Sequence, residues 1–277
     1  MKRRHCTLAL MSQAVSVLLL IGLTVFSNYV SAETIRGDGK PSSDKTAGPN
    51  YQEKKLGEGE RFETSYFIFK GIEPGPVVLI EAGIHGDEVA GTFVLEEMLD
   101  RLVVTRGTVI LFPRMHRLAV EKRKRFLEVD LNHHFPGDPK SKVLEERIAA
   151  AIYKMVRKEQ PDLVVTLHES RRHYKLHKKC CGHTIIYGVD EPPKRLSQTL
   201  EVVNGRASDE LHRFDLLHYP VPTSSSEIFV RDFGLEAYCV ETWLKDDIKA
   251  RKAAHVNVVL AFLEVYGIDF ELRPDDP

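Results

Sequence analysis

The chain has 277 residues, 43% of them hydrophobic, with 39 Lys+Arg against 40 Asp+Glu and a formal net charge of -1. That balance is ordinary for a globular protein and excludes a highly charged disordered chain. It also lacks the basic excess that nucleic-acid partners draw on, so none is expected.

The first 32 residues stand apart. Lys2, Arg3 and Arg4 form a charged start, an apolar stretch follows that is densest from Val15 to Phe26, and Val30-Ser31-Ala32 is a small-residue cleavage pattern. Together they read as a secretory signal peptide, residues 1–32, and imply export to the periplasm or the cell exterior. The alternative is an uncleaved membrane anchor, since a span needs about 20 apolar residues. Ser12, Gln13 and Asn28 interrupt the stretch and favour cleavage, after which no stable membrane span is expected. Losing Lys2, Arg3 and Arg4 takes the formal charge from -1 to -4. About 245 residues remain, enough for one domain with a full core.

Residues 33–60, rich in Gly, Lys, Ser, Pro and Glu, are expected to form a flexible leader, leaving 61–277 for the folded domain. A strand is predicted over Thr64–Phe69 and a buried one over Val77–Gly83, after Gly75-Pro76. Glu88 to Leu102 has apolar residues at Val89, Phe93, Met98 and Leu102, the spacing of one helical face. Then come a strand over Val109–Phe112 stopped by Pro113, a helix over Val143–Val156, and a short apolar strand over Leu163–Leu167. His183–Val189 is a predicted strand, Lys194–His212 a helix, Leu235–Val240 a strand and Asp247–Tyr266 the final helix. Strands alternate with helices, and most strands are continuous apolar runs rather than period-2 patterns. The fold class expected is therefore α/β, with a mixed, largely parallel central sheet flanked by helices on both faces.

In such folds sites gather at the carboxyl ends of strands. Gly83-Ile84-His85-Gly86-Asp87-Glu88 closes one strand and opens a helix, with His85 and Glu88 three residues apart. Imidazole nitrogen and carboxylate oxygen are both ordinary zinc ligands, and Gly86 is expected to let the chain bend sharply between them. A polar turn with Glu88 as a first-turn acid explains the spacing equally well. His168 at the end of another strand would complete a three-ligand set, the arrangement of a catalytic zinc site; alone it reads as a hydrogen-bonded histidine. Glu169 should face the other way, beside the site or at the surface. Glu241, at the end of the strand Leu235–Val240, is either a general base or an ordinary loop acid. Of four cysteines, Cys6 lies in the signal segment. Cys180, Cys181 and Cys239 allow one bridge to the vicinal pair or free thiols, and no Cys-x-x-Cys exists for a thiolate site.

These segments, in this order, resemble the zinc carboxypeptidase superfamily, and most of all its succinylglutamate desuccinylase/aspartoacylase branch. The resemblance rests on Gly75-Pro76 with Gly83 to Glu88, on Arg125 followed by Asp130-Leu131-Asn132, on Phe135-Pro136-Gly137, on Leu167-His168 and on Glu241-Thr242. It spans about Tyr66 to Ile268. It implies that 61–277 is a catalytic domain binding one Zn2+ ion through His85, Glu88 and His168. It further implies Glu241 as general base and proton shuttle, Arg125 as the group that stabilises the oxyanion, and Asn132 as a substrate contact. The branch usually has Asn-Arg, whose arginine grips a substrate carboxylate by two prongs. Here His133 and His134 follow Asn132, and His116 stands where relatives carry asparagine. His133 at that substrate-binding position offers a weaker contact, so another cation or another substrate group is implied. Arg171, Arg172 and Arg231 are candidates. The basic run from Arg171 to Lys179 reads as a solvated loop before it reads as an attractor of anions.

The function this implies is an exported, zinc-dependent hydrolase of an amide bond in a peptide, with cell-wall peptide suggested by the export signal. A small-molecule N-acyl-amino-acid deacylase is the alternative, and a non-catalytic binding protein on the same fold a further one.

Overall fold

The structure is a computed structural model and describes residues 50–274. The expected signal peptide and most of the leader lie outside the described residues. Residues Gln52–Leu56 form a first strand, β1, followed by β2 (Thr64–Lys70), β3 (Glu73–Ala82), α1 (Val89–Arg101), β4 (Leu102–Phe112) and the short α2 (Arg117–Lys122). A 3-10 turn at Leu131–His133 precedes α3 (Leu144–Glu159), β5 (Leu163–Ser170), β6 (Thr184–Tyr187), α4 (Lys194–Gly205) and β7 (Asp215–His218). Then come α5 (Ser225–Phe233), β8 (Glu236–Trp243), α6 (Ile248–Val265) and β9 (Asp269–Leu272).

The strands make one mixed sheet in the order β1-β2-β4-β3-β5-β8-β6-β7, with β9 on the first half of β4. Parallel pairings run through the centre, β4 with β3, β3 with β5 and β5 with β8. The side strands join antiparallel, β1 to β2, β2 to β4 and β6 to β8. On β3 and β5, Val78, Ile80, Ala82, Leu163, Val165 and Leu167 face the core beneath α1, α4 and α6, while Leu79 and Val164 face that beneath α3 and α5. Burial on both faces is why these strands read as unbroken apolar runs.

The structure corrects several boundaries. The leader does not extend to residue 60, because Gln52–Leu56 pairs antiparallel with Thr64–Ile68. Its sequence Gln-Glu-Lys-Lys-Leu is the charged pattern of an edge strand, which resembles a linker in composition. The helix expected over 194–212 stops at Gly205, and α2, α5, β7 and β9 have no counterpart among the expected elements. Strands β5 and β8 run three residues beyond Leu167 and Val240, so His168 and Glu241 lie within the last turns of paired strand rather than past them. Among the described residues no helix is long and apolar enough to cross a membrane.

Candidate active site

The site forms where β3, β5 and β8 end side by side. Gly83 closes β3 with φ 72°, a conformation in which a Cβ carries strain. Gly86 is glycine for a different reason from the bend expected: a Cβ there would lie 2.1 Å from the Ala119 carbonyl group of α2. This close packing turns His85 and Glu88 inward. Glu88 occupies the N-cap position of α1 without capping it. Glu169, on the opposite face of β5, accepts the Ala90 N–H instead, at 2.9 Å, and is itself held by Arg251 at 2.7 Å. Glu169 is thus buried and structural, not a surface acid, and it leaves the Glu88 carboxylate free for the other face.

His85, Glu88 and His168 converge as the sequence predicts. They are 3%, 5% and 2% exposed, and their ligand atoms all lie within 4.8 Å of one another. His85 Nδ1 lies 2.8 Å from Glu88 Oε1, and His168 Nδ1 lies 2.9 Å from Glu88 Oε2 and 3.2 Å from His85 Nδ1. Two imidazole nitrogens and a carboxylate facing one buried point could hold a metal ion between them. Burial opposes charge on His85, but Glu88 and Asp130 outweigh it and lift the imidazole to about 9; burial likewise opposes charge on Glu88, but His85 and His168 prevail and hold it far below the usual carboxylate range. His168, more fully desolvated, is pushed down. Three protein donors of N, N and O type with an open side fit a divalent metal.

Two further groups complete the geometry. Arg125, its side chain 40% exposed, donates from Nη1 to Glu88 at 2.9 Å and from Nε to Asp130 at 3.0 Å, leaving Nη2 without a partner among the described residues. Glu241 is the register partner of His168 across β5 and β8, and its Oε2 is buried with no hydrogen-bond partner. Burial and then the charge of Glu88 raise its carboxyl well above the usual range. A carboxyl so placed can exchange a proton with a water in the cleft. Cys239, two residues back on the same face of β8, has Sγ 4.0 Å from Glu241 Oε1 and forms a second convergent set with Glu241 and His168. Burial, with Glu241 beside it, raises the Cys239 thiol, so it is a weak thiolate. All three cysteines in the described residues are free.

The cleft over these groups has a volume of about 430 Å³ and is lined by Asp87, Glu88, Arg125, Glu169, Glu241 and the segments Ser170–Arg172 and Lys179–Cys181. Asn132 is not among the lining residues; its Oδ1 accepts the Ser225 N–H at the start of α5 at 3.3 Å. His133 is exposed and is not among the residues lining the cleft. Arg231 is also not among the lining residues; its exposed side chain near the end of α5 pairs with Asp232 at 2.7 Å.

Two acids, the half-buried Asp130 and the buried Glu145, were not singled out from sequence. Asp130 accepts from His85 Nε2 at 3.0 Å, from the Asn132 N–H and from Arg125. A carboxylate behind a ligand imidazole fixes its tautomer, here presenting Nδ1 to the shared point. Its signal was present in Asp130-Leu131-Asn132, which enters the sequence reading only as part of the family resemblance. Glu145, 0% exposed, meets the equally buried His116 at 3.1 Å and accepts the N–H groups of Leu127 and Glu128 at 2.9 and 3.0 Å. It pins the segment that carries Arg125. Burial opposes the charge on Glu145, but His116 and these N–H groups prevail and hold it at about 2. A depressed carboxylate contributes stability above its unfolded value near 4.5 and loses it as the pH falls toward 2. Glu145→Gln is therefore expected to cost about 2 kcal/mol, roughly 4–8 °C in Tm at neutral pH. The stability lost by wild type between about pH 4.5 and 2 should shrink in the variant; equal acid limbs in the two proteins would contradict this.

Comparison with known proteins gives the family and the fold. Residues 74–241 match the family model of the succinylglutamate desuccinylase/aspartoacylase catalytic domain. The chain belongs to that family. It is 35% identical over 103 residues to N-alpha-acetyl-L-2,4-diaminobutyric acid deacetylase of Halomonas elongata, covering 35% of this chain and 30% of that one. It is 27% identical over 229 residues to succinylglutamate desuccinylase of Pseudomonas fluorescens strain Pf0-1, covering 70% and 64%. The matches thus span from under a third to under two thirds of these relatives. Among solved structures, apo cell shape determinant protein Csd4 of Helicobacter pylori shares the fold with TM-score 0.70 at 19% identity, covering 76% of this chain and 56% of that one. The mDAP-bound form of Csd4, described as a D,L-carboxypeptidase, gives TM-score 0.64 at 21% identity, covering 72% and 52%.

Proposed function

We propose that this chain is an exported, zinc-dependent hydrolase that cleaves an amide bond of a peptide, cell-wall peptide included. The observation that carries the reading is the convergence of His85, Glu88 and His168 beside the unpartnered oxygen of Glu241 in an open cleft. A zinc ion bound by the three donors would supply Lewis acidity, polarising a carbonyl and lowering the pKa of water. Glu241 takes the proton from the attacking water and returns it to the leaving amine. Arg125 faces the developing oxyanion with Nη2 while its other nitrogens stay anchored.

The apolar, basic-headed first 32 residues support export, and with it a peptide substrate. The curated relatives support a second reading, removal of an acyl group from an amino acid, because those named are a deacetylase and a desuccinylase. A non-catalytic binding protein has no use for a free acid beside the donor set, and that counts against it. The test is turnover by zinc-loaded protein on a panel of peptides, cell-wall fragments and N-acyl amino acids. Release of amine from none of them would refute the reading; the class turned over fastest decides between the two substrates.

Asp130→Asn is expected to weaken zinc retention by about 10–100-fold, since the neutral amide no longer orients and charges His85 from behind. Competition with a chelator measures this. An unchanged affinity would show that Asp130 serves Arg125 alone.

A further inference from the structure

The basic run from Arg171 to Lys179 divides in the fold. Lys175 donates to Glu210, to its carbonyl at 2.5 Å and its carboxylate at 2.9 Å. Lys178 Nζ lies 4.0 Å from the ring centroid of Tyr174. The side chains of Arg171, Arg172 and Lys179 have no hydrogen-bond or ion-pair partner among the described residues, and these three line the cleft with Glu88 and Glu241. Away from the cleft Lys175 meets an acid and Lys178 a ring, whereas at the cleft the exposed Arg171, Arg172 and Lys179 stay open toward the reacting groups. A uniformly solvated loop gives no reason for that division.

The loop is also held in place. The Ser170 hydroxyl donates to the Arg172 carbonyl at 3.2 Å and accepts the Cys181 N–H at 3.3 Å. Gly182 N–H donates to the Arg172 carbonyl at 3.0 Å, and Tyr174 N–H to the Gly182 carbonyl at 2.9 Å. His173 is fully buried beneath, donating from Nε2 to Leu211 at 2.8 Å, accepting the Lys175 N–H at Nδ1, and stacking on His183 at 4.9 Å. The backbone bearing Arg171 and Arg172 is thus fixed three and four residues after His168. Anchoring the backbone lowers the ordering cost when the side chains close on a ligand.

We propose that Arg171, Arg172 and Lys179 form an anion subsite that grips a free carboxylate of the substrate, in place of the arginine missing after Asn132. The preferred substrates are amides whose reacting residue bears at least one free carboxylate beside the scissile bond. Two guanidinium forks and an ammonium suit two carboxylate oxygens better than one exposed imidazole does. The position is consistent with His133 and Arg231 lying outside the cleft lining. This inference rests on the amide-hydrolase reading for its substrate, but not for its anion.

Calorimetry on zinc-loaded full-length protein tests it with glutarate and its monoamide, glutaramate, alongside turnover on the peptide and N-acyl panel. Wild type should bind glutarate at least about tenfold tighter than glutaramate in low salt, with the gap narrowing at high salt. The gap should vanish in Arg171→Gln/Arg172→Gln, return in part in Arg171→Lys/Arg172→Lys, shrink in Lys179→Gln and persist in Arg231→Gln. Circular dichroism of each variant checks folding, and the lysine pair keeps the test open if the glutamine pair misfolds. No gap in wild type, or a gap that survives the double glutamine variant, overturns the subsite. A gap lost only in His133→Ala overturns it in favour of the segment after Asn132. A preference for glutarate without turnover on any amide supports the subsite and removes the hydrolase reading, so the two failures are distinguishable.

Discussion

Glu241→Gln is expected to lower kcat by about 10²–10⁴-fold while leaving the metal content of the protein near one ion per chain. The amide has the size of the carboxylate and fits the same place on β8, opposite His168 in register. It cannot accept the proton that the unpartnered Oε2 is free to take. Because Glu241 is not one of the three donors that meet at His85, zinc should stay bound. Metal content and turnover must come from one preparation. Loss of metal in proportion to activity would make Glu241, with Cys239 and His168, part of the ion's own cage. Retained turnover would place the base elsewhere.

How far the site was legible in sequence depended on what each residue does. His85, Glu88 and His168 could be found because ligand chemistry limits the residue types and strand ends limit the places. The central strands were legible because burial on both faces writes an apolar run. Strand β1 was not, since an edge strand carries charge against aggregation and so looks like a linker. Glu169 shows the limit of alternation as a guide. Period 2 turns it off the metal face, as expected, but cannot say that it finds the N-terminus of α1 and Arg251 there. Asp130 and Glu145 act through long-range contacts, 45 residues from His85 and 29 from His116. No local pattern records such a pairing. The basic loop was read as solvated because composition treats nine residues as one charge run. Only the fold separates the cations that meet acids or a ring from those that meet the cleft.

Arg125→Gln is expected to reduce kcat/KM by about 10²–10³-fold, the usual cost of removing a donor to a developing oxyanion. The loss should fall mainly on kcat, because negative charge on the carbonyl oxygen is greatest in the transition state. Arg125 also bonds Glu88 and Asp130, which gives a rival explanation for any loss: the guanidinium braces the donor set and its removal loosens the metal. The two roles separate by measurement. If Arg125 acts on the oxyanion, excess zinc leaves the defect untouched. Arg125→Lys then recovers only part of the rate, since an ammonium keeps the charge but cannot hold both acids and still present a third nitrogen to the substrate. If Arg125 only braces the site, metal affinity falls in step with activity and added zinc restores the rate. The geometry favours the first outcome. Glu88 keeps two imidazoles and the Glu169 N–H after Arg125 is removed, and Asp130 keeps His85 and the Asn132 N–H. Among the described residues no other arginine or lysine pairs with Glu88 or Asp130, so none stands ready to replace Nη2.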